Sequence, residues 1–504
     1  MKRLLLTLLS AVLLAAAFPN YNLGILAWIA LVPLLLALDG LSKGRAFLLA
    51  YLWGVLFWLG TVYWLVHVTA VGMVLLVLYL ALYFGIFGLI LSQSCILHTA
   101  YYILFLPSIW VLLEYLRSYF FSGFGWALLG YSQYLNLPII QIADITGVYG
   151  VSFVLMAVNV ALKEIICLWR NPARRKESLT AAAICVLMLL AVVSYGYQRL
   201  NKINQDKAFS SLKVSVVQGN IPQRLKWKPA AKDYIMQEYL ALSRQAAQDK
   251  PDLLIWPEAA LPAIIEQEPE FFEEARDFTD KAKIPLLLGA VTERNNVYYN
   301  SALLITGRDR QPRRYDKLHL VPFGEFIPLK PFLSFLETIV PIGDFSPGRE
   351  YTVFTLHTIS YILPTEPKFS VLICFEDLFP QLSRQFAAKG ANLLINITND
   401  GWFGKSAAPF QHLSASVLRA VENRLPVVRA ANTGVSGFIA PSGKIISLVS
   451  DEKGENIFVK GYRSEKINLR EAGLTFYTRR GDILVLICFL AGFYGIMRIL
   501  RRKK

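Results

Sequence analysis

The chain has 504 residues, of which 55% are hydrophobic and 17% are charged, and its mean hydropathy is +0.44. These values exclude a single soluble globule and leave room for a membrane part plus a separate domain. The formal net charge of +15 does not indicate nucleic-acid binding, because the basic residues recur in short clusters beside apolar segments, where they would meet anionic lipid headgroups.

The first 200 residues predict a membrane domain, because they contain about seven apolar segments near the length that a bilayer requires. The segments cover residues 4–18, 23–38, 46–68, 71–97, 101–116, 148–169 and 179–197. An eighth segment, 483–500, predicts a C-terminal transmembrane helix followed by a basic tail. Residues 1–17 also resemble a cleavable signal peptide, with a basic start, an apolar run and several alanines.

Basic clusters predict how these segments are oriented. If the segments alternate in direction, the clusters fall on one side of the membrane, and this bias is typical of the cytoplasmic side. The clusters are Lys2/Arg3, Lys43/Arg45, Arg170 with Arg174/Arg175/Lys176, and Arg501 to Lys504. We therefore expect three parts: a transmembrane domain over 1–200, an external domain over 201–480 and a C-terminal helix with its tail over 481–504.

The external part has the pattern of an α/β domain. Short apolar runs rich in β-forming residues alternate with helical stretches such as 231–248 and 413–423. Strands that are apolar along their whole length imply burial on both faces, by helices or by a second sheet. Two aromatic stretches, 119–134 and 329–347, suit the headgroup zone and could wall a lipid cleft, although ordinary caps and loops explain them equally well.

Three segments of this domain place a reactive side chain beside an apolar run. They are LLIWPEAA with Glu258, RRYDKLHLVPFGEFIP with Lys317, and SVLICFEDLFP with Cys374. A lone Glu or Lys is usually a solvated surface group. Cys374 is harder to explain, because a single thiol in an oxidising external compartment has no disulfide partner. A nucleophile would explain it, since a thiolate attacks an ester carbonyl and leaves a thioester that an amine can open.

The five cysteines show no paired spacing, and all but Cys374 fall inside long apolar runs. The sequence therefore predicts neither a disulfide framework nor a metal cluster. We expect no cofactor.

Glu, Lys and Cys in this order, within WPE, DKLHLVPFGE and ICFED, resemble the nitrilase superfamily, which uses a Glu-Lys-Cys triad in an αββα sandwich. The resemblance implies that Cys374 is the nucleophile and that Glu258 is the general base. Lys317 would then stabilise the oxyanion of the tetrahedral intermediate. Glu325, in FGEFIP, matches the additional superfamily glutamate that positions these groups.

A nitrilase-like external domain between seven apolar segments and one further segment resembles the apolipoprotein N-acyltransferase family over essentially the whole chain. The supporting segments are VVQGNIPQRLKW (216–227), TNDGWFGKSAAPFQH (398–412) and RAANTGVSGFIAPSGK (429–444). In that family, residues that match Trp227, Glu376 and Trp402 contribute to the active-site region. The residue after the nucleophile is often Tyr in relatives and is Phe375 here, so this position offers no hydroxyl.

The resemblance implies a ping-pong reaction at a bacterial inner membrane, with the catalytic domain on the periplasmic side. A phospholipid, commonly phosphatidylethanolamine, would give an acyl chain to Cys374 and leave as a lysophospholipid. The α-amino group of a diacylglyceryl-cysteine apolipoprotein would then accept that chain. The expected partners are therefore these two substrates and the membrane, with no nucleic acid, and we expect the chain to act as a monomer.

Other functions stay open on the sequence alone. A Cys-His mechanism could use His319 or His412 as the base. The nearest enzymatic alternative is a membrane-anchored nitrilase-type amidase or hydrolase, in which water rather than an amine resolves the thioester. A transporter would show ionisable residues deep within its spans, whereas Glu114 and Lys163/Glu164 lie nearer the span ends. A lipid-binding scaffold would tolerate the loss of Cys374.

Overall fold

The computed structural model describes residues 1–94, 99–168, 175–205, 210–307, 312–326, 345–357, 366–469 and 473–501. The chain divides into two compact units. The first comprises Met1–Gln205, Ser406–Glu422 and Thr475–Lys504, and the second comprises Asp206–Lys405 and Asn423–Leu474. Most of the aromatic stretch 329–347, the cluster residues Arg170 and Arg174, and the end of the basic tail lie outside the described residues.

The first unit is helical. Its helices are Lys2–Ala16, Val32–Leu38, Lys43–Thr61, Ala70–Leu91, Thr99–Tyr119, Leu137–Ile140, Ala143–Thr146, Val148–Leu168, Arg175–Gln205, Phe476–Arg480 and Ile483–Arg501, and the helix Ala408–Asn423 belongs to it as far as Glu422. Among the described residues, 5 helices are long and apolar enough to cross a membrane: Lys43–Thr61, Ala70–Leu91, Val148–Leu168, Arg175–Ile203 and Ile483–Arg501. These helices confirm the predicted membrane domain.

The second predicted apolar segment, 23–38, is not one continuous helix. It forms the 3-10 helix Gly24–Trp28 and then the 7-residue helix Val32–Leu38. Pro33 lies in the first turn of the second helix, where its missing N–H is tolerated, whereas it would break a helix that arrived from upstream. The first predicted segment is a helix of 15 residues. The number of seven spans stays a prediction.

The aromatic stretch 119–134 is anchored by two buried charged residues of the helix Thr99–Tyr119. Arg117 Nη1 donates to the carbonyl oxygens of Phe124 at 2.7 Å and Trp126 at 2.8 Å. Glu114 Oε1 accepts from the main-chain N–H of Leu129 at 2.7 Å. Because buried charges need such partners, this pair fixes the path of the loop. Its predicted role as the wall of a lipid cleft stays a prediction.

The second unit contains two sheets of six strands each in the described part of the chain. The strands are β1 (Ser210–Gln218), β2 (Leu253–Ile255), β3 (Leu286–Arg294), β4 (Val297–Ile305), β5 (Arg313–Asp316), β6 (Phe354–Thr355), β7 (Lys368–Ile373), β8 (Leu393–Thr398), β9 (Val427–Ala431), β10 (Gly437–Ile439), β11 (Ile445–Leu448) and β12 (Gly461–Leu469). The first sheet has the order β12-β1-β2-β3-β4-β5, and the second has the order β11-β10-β9-β8-β7-β6. Parallel pairs lie at the centre of both sheets.

The two sheets pack face to face, with β1 against β9 and β4 against β7. The helices Lys232–Ala247 and Pro269–Ala282 cover the outer face of the first sheet with a buried apolar cluster that includes Tyr239, Trp256 and Phe271. The helix Pro380–Ala388 packs on β7 of the second sheet. This arrangement confirms the predicted αββα sandwich, and it explains why the central strands are apolar along their whole length.

Candidate active site

Glu258 lies in a tight loop just after β2. The loop is held by Gly289 of β3, whose N–H donates to the Pro257 carbonyl oxygen at 3.1 Å. A Cβ at Gly289 would lie 2.6 Å from both Glu258 Cα and Ala259 N, so a side chain there would displace the loop. Ala259 adopts a φ of +43°, a left-handed conformation that non-glycine residues rarely take. The position of the Glu258 carboxylate thus depends on glycine at position 289.

Lys317 follows β5 and is 1% exposed. Its Nζ lies 2.9 Å from Glu325 Oε1 and 3.4 Å from Glu258 Oε1. Burial alone would lower the pKa of Lys317, but the charges of Glu325 and Glu258 outweigh burial and raise the pKa above its usual value. Lys317 is therefore a cation at neutral pH.

Asn300 of β4 links the two carboxylates. Its Nδ2 donates to Glu258 Oε1 and to Glu325 Oε1, both at 2.7 Å. The second oxygen of each carboxylate accepts a main-chain N–H, from Asn399 for Glu258 at 2.9 Å and from Val321 for Glu325 at 2.7 Å. All four carboxylate oxygens are thus fixed by donors before any substrate binds.

Cys374 stands at the sharp turn between β7 and the 3-10 helix Cys374–Leu378, with a φ of +56°. This conformation costs a non-glycine residue about 1–2 kcal/mol. Asn396 of β8 compensates by donating to the carbonyl oxygens of Cys374 at 2.8 Å and Leu372 at 3.1 Å. Strain held in place by buried hydrogen bonds is typical of a side chain that must be presented in one orientation.

Burial raises the pKa of the Cys374 thiol well above its usual value, and the negative charge of Glu258 raises it further. The positive charge of Lys317 acts in the opposite direction. The thiol form of the resting side chain is therefore favoured over the thiolate at neutral pH. Because the charges of both Glu258 and Lys317 act on Cys374, and Lys317 Nζ lies 3.4 Å from Glu258 Oε1, the three motif residues lie in one region of the second unit.

Glu376 is fully buried and connects the two sheets. It accepts hydrogen bonds from the Tyr315 hydroxyl at 2.9 Å, from the N–H groups of Leu318 and His319 at 2.7 and 3.0 Å, and from Ile373 N–H at 2.7 Å. Burial raises the pKa of Glu376 to about 7, while these donors and Lys317 act against the rise. Glu376 therefore positions the residues that flank Lys317 and Cys374.

Trp227 and Trp402 are exposed, by 48% and 53%, on two loops of the second unit. Each loop is tied to Glu258, because Lys226 Nζ donates to the Glu258 carbonyl oxygen at 2.9 Å and Asn399 N–H donates to its carboxylate. The side chains of Asn399 and Gln223 also join the loops at 2.8 Å. A role of the two tryptophans in substrate binding stays a prediction.

Sequence reasoning missed Lys226, Asn300 and Asn396. An asparagine inside an apolar strand was the available signal for Asn300 and Asn396, since a buried amide requires partners. Lys226 gave no such signal, because the sequence RLKW is typical of a surface loop.

The two histidines of the rival mechanism have aromatic surroundings. The His319 ring lies 3.8 Å from the Phe379 ring centroid, and 5.4 Å from that of Phe375. His412 is buried in the first unit, 5.6 Å from the ring of Trp126. Among the described residues, no cluster of His, Cys, Asp and Glu side chains could hold a metal ion.

Comparison with known proteins agrees with this fold. The family described as Apolipoprotein N-acyltransferase N-terminal domain matches residues 10–161, and the family described as Carbon-nitrogen hydrolase matches residues 213–467. The apolipoprotein N-acyltransferase of Geobacter metallireducens is 38% identical over 520 aligned residues, which cover 99% of this chain and 95% of that protein. The chain belongs to the apolipoprotein N-acyltransferase family.

Two other proteins resemble this chain to a lesser degree. The apolipoprotein N-acyltransferase of Methylococcus capsulatus is 34% identical, and the alignment covers 89% of this chain and 88% of that protein. A solved nitrilase-superfamily protein of Saccharomyces cerevisiae is 20% identical with a TM-score of 0.37, over 52% of this chain and 93% of that chain. Membership of the apolipoprotein N-acyltransferase family confirms the resemblance seen in the sequence and makes the chain a membrane acyltransferase with a carbon-nitrogen hydrolase domain.

Proposed function

We propose that the chain transfers an acyl chain from a phospholipid to the α-amine of a diacylglyceryl-cysteine apolipoprotein, through a thioester on Cys374. The observation that carries the proposal is the buried Lys317 amine, held between the carboxylates of Glu258 and Glu325 beside a strained cysteine turn. Family membership supports the role in lipoprotein N-acylation.

In the first half-reaction, Cys374 Sγ attacks the carbonyl carbon of the phospholipid ester while Glu258 accepts the thiol proton. The electron pair of the carbonyl moves to its oxygen and forms an oxyanion. Collapse of this intermediate breaks the ester C–O bond, and the leaving glycerol oxygen takes the proton from Glu258. The products are a thioester on Cys374 and a lysophospholipid.

In the second half-reaction, the neutral α-amine of the diacylglyceryl-cysteine attacks the thioester carbon and gives a proton to Glu258. The C–S bond then breaks, an amide forms, and the proton returns to Cys374. Glu258 alternates between base and acid, and its carboxylate, held by Asn300 and the Asn399 N–H, changes protonation without changing position.

Lys317 supplies the charge for both oxyanions. An ammonium has three N–H groups, and among the described residues Lys317 gives two of them to Glu258 and Glu325. The third is available to the developing oxyanion. Because the raised pKa keeps the lysine protonated, this stabilisation needs no proton transfer at the moment of reaction.

The membrane helices fit the chemistry, because both substrates have hydrophobic tails and an anchored enzyme meets them without extracting them from the bilayer. We propose phosphatidylethanolamine as the usual donor, the bacterial inner membrane as the location, and the periplasmic side as the position of the catalytic domain. We further propose that the chain acts as a monomer.

Intact-mass analysis of the full-length protein with phosphatidylethanolamine tests the proposal. Wild type should gain one acyl mass that hydroxylamine removes and that a diacylglyceryl-cysteine peptide discharges. Cys374→Ser should gain none, and Glu258→Gln should acylate at least about 1000-fold more slowly, because it lacks the base. Cys488→Ser, in the helix Ile483–Arg501, and the exposed Glu266→Gln are matched controls that should behave as wild type.

Acylation of Cys374→Ser at the wild-type rate would contradict the proposed nucleophile. If water discharged the thioester as fast as the peptide does, the hydrolase alternative would replace the acyltransferase mechanism. Both outcomes are read from the same time course, since free fatty acid and acylated peptide have different masses.

A further inference from the structure

Lys226 is a second buried lysine beside the proposed triad. It is 3% exposed, although its neighbours Arg224, Trp227 and Lys228 face solvent. Lysine side chains normally keep the ammonium in water, and burying one is costly unless an anion or strong acceptor compensates. Its inward position therefore calls for a partner inside the site.

The hydrogen-bond acceptor of the Lys226 amine is the main chain of Glu258, a proposed catalytic residue. The amine donates to the Glu258 carbonyl oxygen at 2.9 Å, in the loop where Ala259 has a left-handed φ. The negative charges that act on the amine are those of Glu258, just after β2 of the first sheet, and of the Cys374 thiolate, just after β7 of the second. On its own segment, Arg224 and Lys228 face away into solvent.

The two buried lysines differ in their proton affinity. Lys317 lies between two carboxylates, which raise its pKa. Burial lowers the pKa of Lys226 to about 8, against the opposing effect of Glu258 and Cys374. Lys226 is thus charged at neutral pH and loses its proton at moderately alkaline pH.

We infer that Lys226 is a positioning residue of this site, which holds the Glu258 main chain and, while protonated, favours the thiolate of Cys374 through its positive charge. The inference rests on the proposed nucleophile. It predicts that the effect of Lys226 on the reactivity of Cys374 depends on pH, because the ammonium can stabilise the thiolate only below the pH at which it loses its proton. A purely structural lysine would give no such pH dependence.

The test is the alkylation rate of Cys374 by iodoacetamide in the full-length protein, followed by peptide mass. Lys226→Met and Lys226→Gln should react about tenfold more slowly than wild type near pH 6.5, as expected for about one pKa unit. The difference should shrink to about twofold or less near pH 9.5, where Lys226 of the wild type is neutral. Lys226→Arg should match wild type at the lower pH and exceed it at the higher one, because arginine stays charged.

Lys228→Met is the matched control, and it should follow wild type at both pH values, because this lysine is exposed. Equal rates for Lys226→Gln and wild type at the lower pH would overturn the inference. So would a deficit that is the same at both pH values. If the Met and Gln variants do not fold, Lys226→Arg decides, since a wild-type rate for it near pH 9.5 overturns the inference.

Failure of this inference differs from failure of the proposed function. Acyl transfer that survives Cys374→Ser would remove the nucleophile and the proposed function together. Unchanged alkylation in the Lys226 variants, with transfer still dependent on Cys374, would overturn only the role of Lys226.

Discussion

Asn300 determines how close the two carboxylates of the site can come to each other. Its single Nδ2 atom donates to both Glu258 and Glu325, so the two like charges share one donor as well as the Lys317 ammonium. Without the amide, the two facing oxygens of the carboxylates would depend on the Lys317 ammonium to offset their repulsion. The position of the Glu258 carboxylate, the proposed base, therefore depends on an uncharged side chain from β4.

We expect Asn300→Ala to slow formation of the acyl-enzyme by about 100-fold, because it removes two hydrogen bonds to charged groups, each of which contributes about 1.5–3 kcal/mol. The measurement is the rate at which the hydroxylamine-labile acyl mass appears. Ser301→Ala is the control, since it removes the next side chain of β4, which is buried and bonded to Thr292 and Asp316. It should lower the melting temperature but keep the acylation rate, and an equal loss of rate in both variants would contradict the role of Asn300.

The sequence indicated the motif residues and, through the family resemblance, Glu325 and Glu376, but it did not indicate Asn300, Asn396 or Lys226. Glu258, Lys317 and Cys374 stand in distinctive local sequences, and each follows a strand. Asn300, Asn396 and Lys226 act on residues 42, 22 and 32 positions away, so their roles depend on strand register and loop path. Local sequence carries no information on such pairings.

Among the structural elements, β5 and the turn after β7 form the connection that aligns the two sheets at the site. Tyr315 of β5 donates to both oxygens of Glu376, each at 2.9 Å, and Glu376 accepts the Ile373 N–H immediately before Cys374. Lys317 lies two residues after Tyr315, immediately past the end of β5. One buried carboxylate, that of Glu376, therefore fixes the Lys317 and Cys374 segments relative to each other.

We expect Tyr315→Phe to lower the free energy of unfolding by about 1.5–3 kcal/mol, because it leaves a buried carboxylate with one donor fewer. The acylation rate should fall by about tenfold, since the cysteine turn loses part of its support. Tyr351→Phe is the control, because Tyr351 also packs on Phe386 but its ring is less buried. The measurements are thermal unfolding and the acylation rate of both variants. Indistinguishable results would refute the role of the Tyr315–Glu376 hydrogen bonds in aligning the two sheets.

The loop after β2, which carries Glu258, depends on the absence of a side chain at Gly289. Gly289→Ala would place a methyl group 2.5 Å from the Pro257 carbonyl oxygen and 2.6 Å from Glu258 Cα, and main-chain atoms cannot move aside as a flexible side chain can. We expect the variant to fold with a loss of about 1–3 kcal/mol and to acylate about 100-fold more slowly. Gly307→Ala, whose methyl would meet only the end of the Asp280 side chain at 3.1 Å, should acylate as wild type. A normal rate for Gly289→Ala would show that the Glu258 loop tolerates displacement.

Helix boundaries in the first unit show where sequence periodicity fails. Apolar length alone predicted one span over 23–38, yet the chain there forms a 3-10 helix and a short α-helix. Asn159, from the helix Val148–Leu168, accepts the Leu31 N–H at 2.8 Å and donates to the Ala27 carbonyl oxygen at 2.9 Å. A distant amide thus satisfies the main-chain groups that the interruption exposes, and such tertiary compensation cannot be read from a hydropathy pattern.

At the scale of the whole molecule, family membership and the helices that are long and apolar enough to cross a bilayer place the chain in a membrane, and the basic clusters predict which way it faces. The interrupted segment 23–38 leaves the predicted orientation unchanged only if it and the helix Lys2–Ala16 both cross or both fail to cross, since each crossing reverses the direction of the chain. The charge bias favours this pairing, because Lys2/Arg3 and Lys43/Arg45 flank the two segments and belong on one side.

Reporter fusions test the orientation. Alkaline phosphatase, which requires an oxidising compartment, should be active when fused after Gln205, at the end of the helix Arg175–Gln205, and inactive when fused after Lys504. A fluorescent protein that folds only in the cytoplasm should show the opposite pattern. The pair of reporters is its own control, because a fusion that is merely degraded gives neither signal. Phosphatase activity after Lys504 together with fluorescence after Gln205 would place Cys374 in the cytoplasm. Reducing conditions there would protect its thiol, so the absence of a disulfide partner would no longer favour a nucleophile.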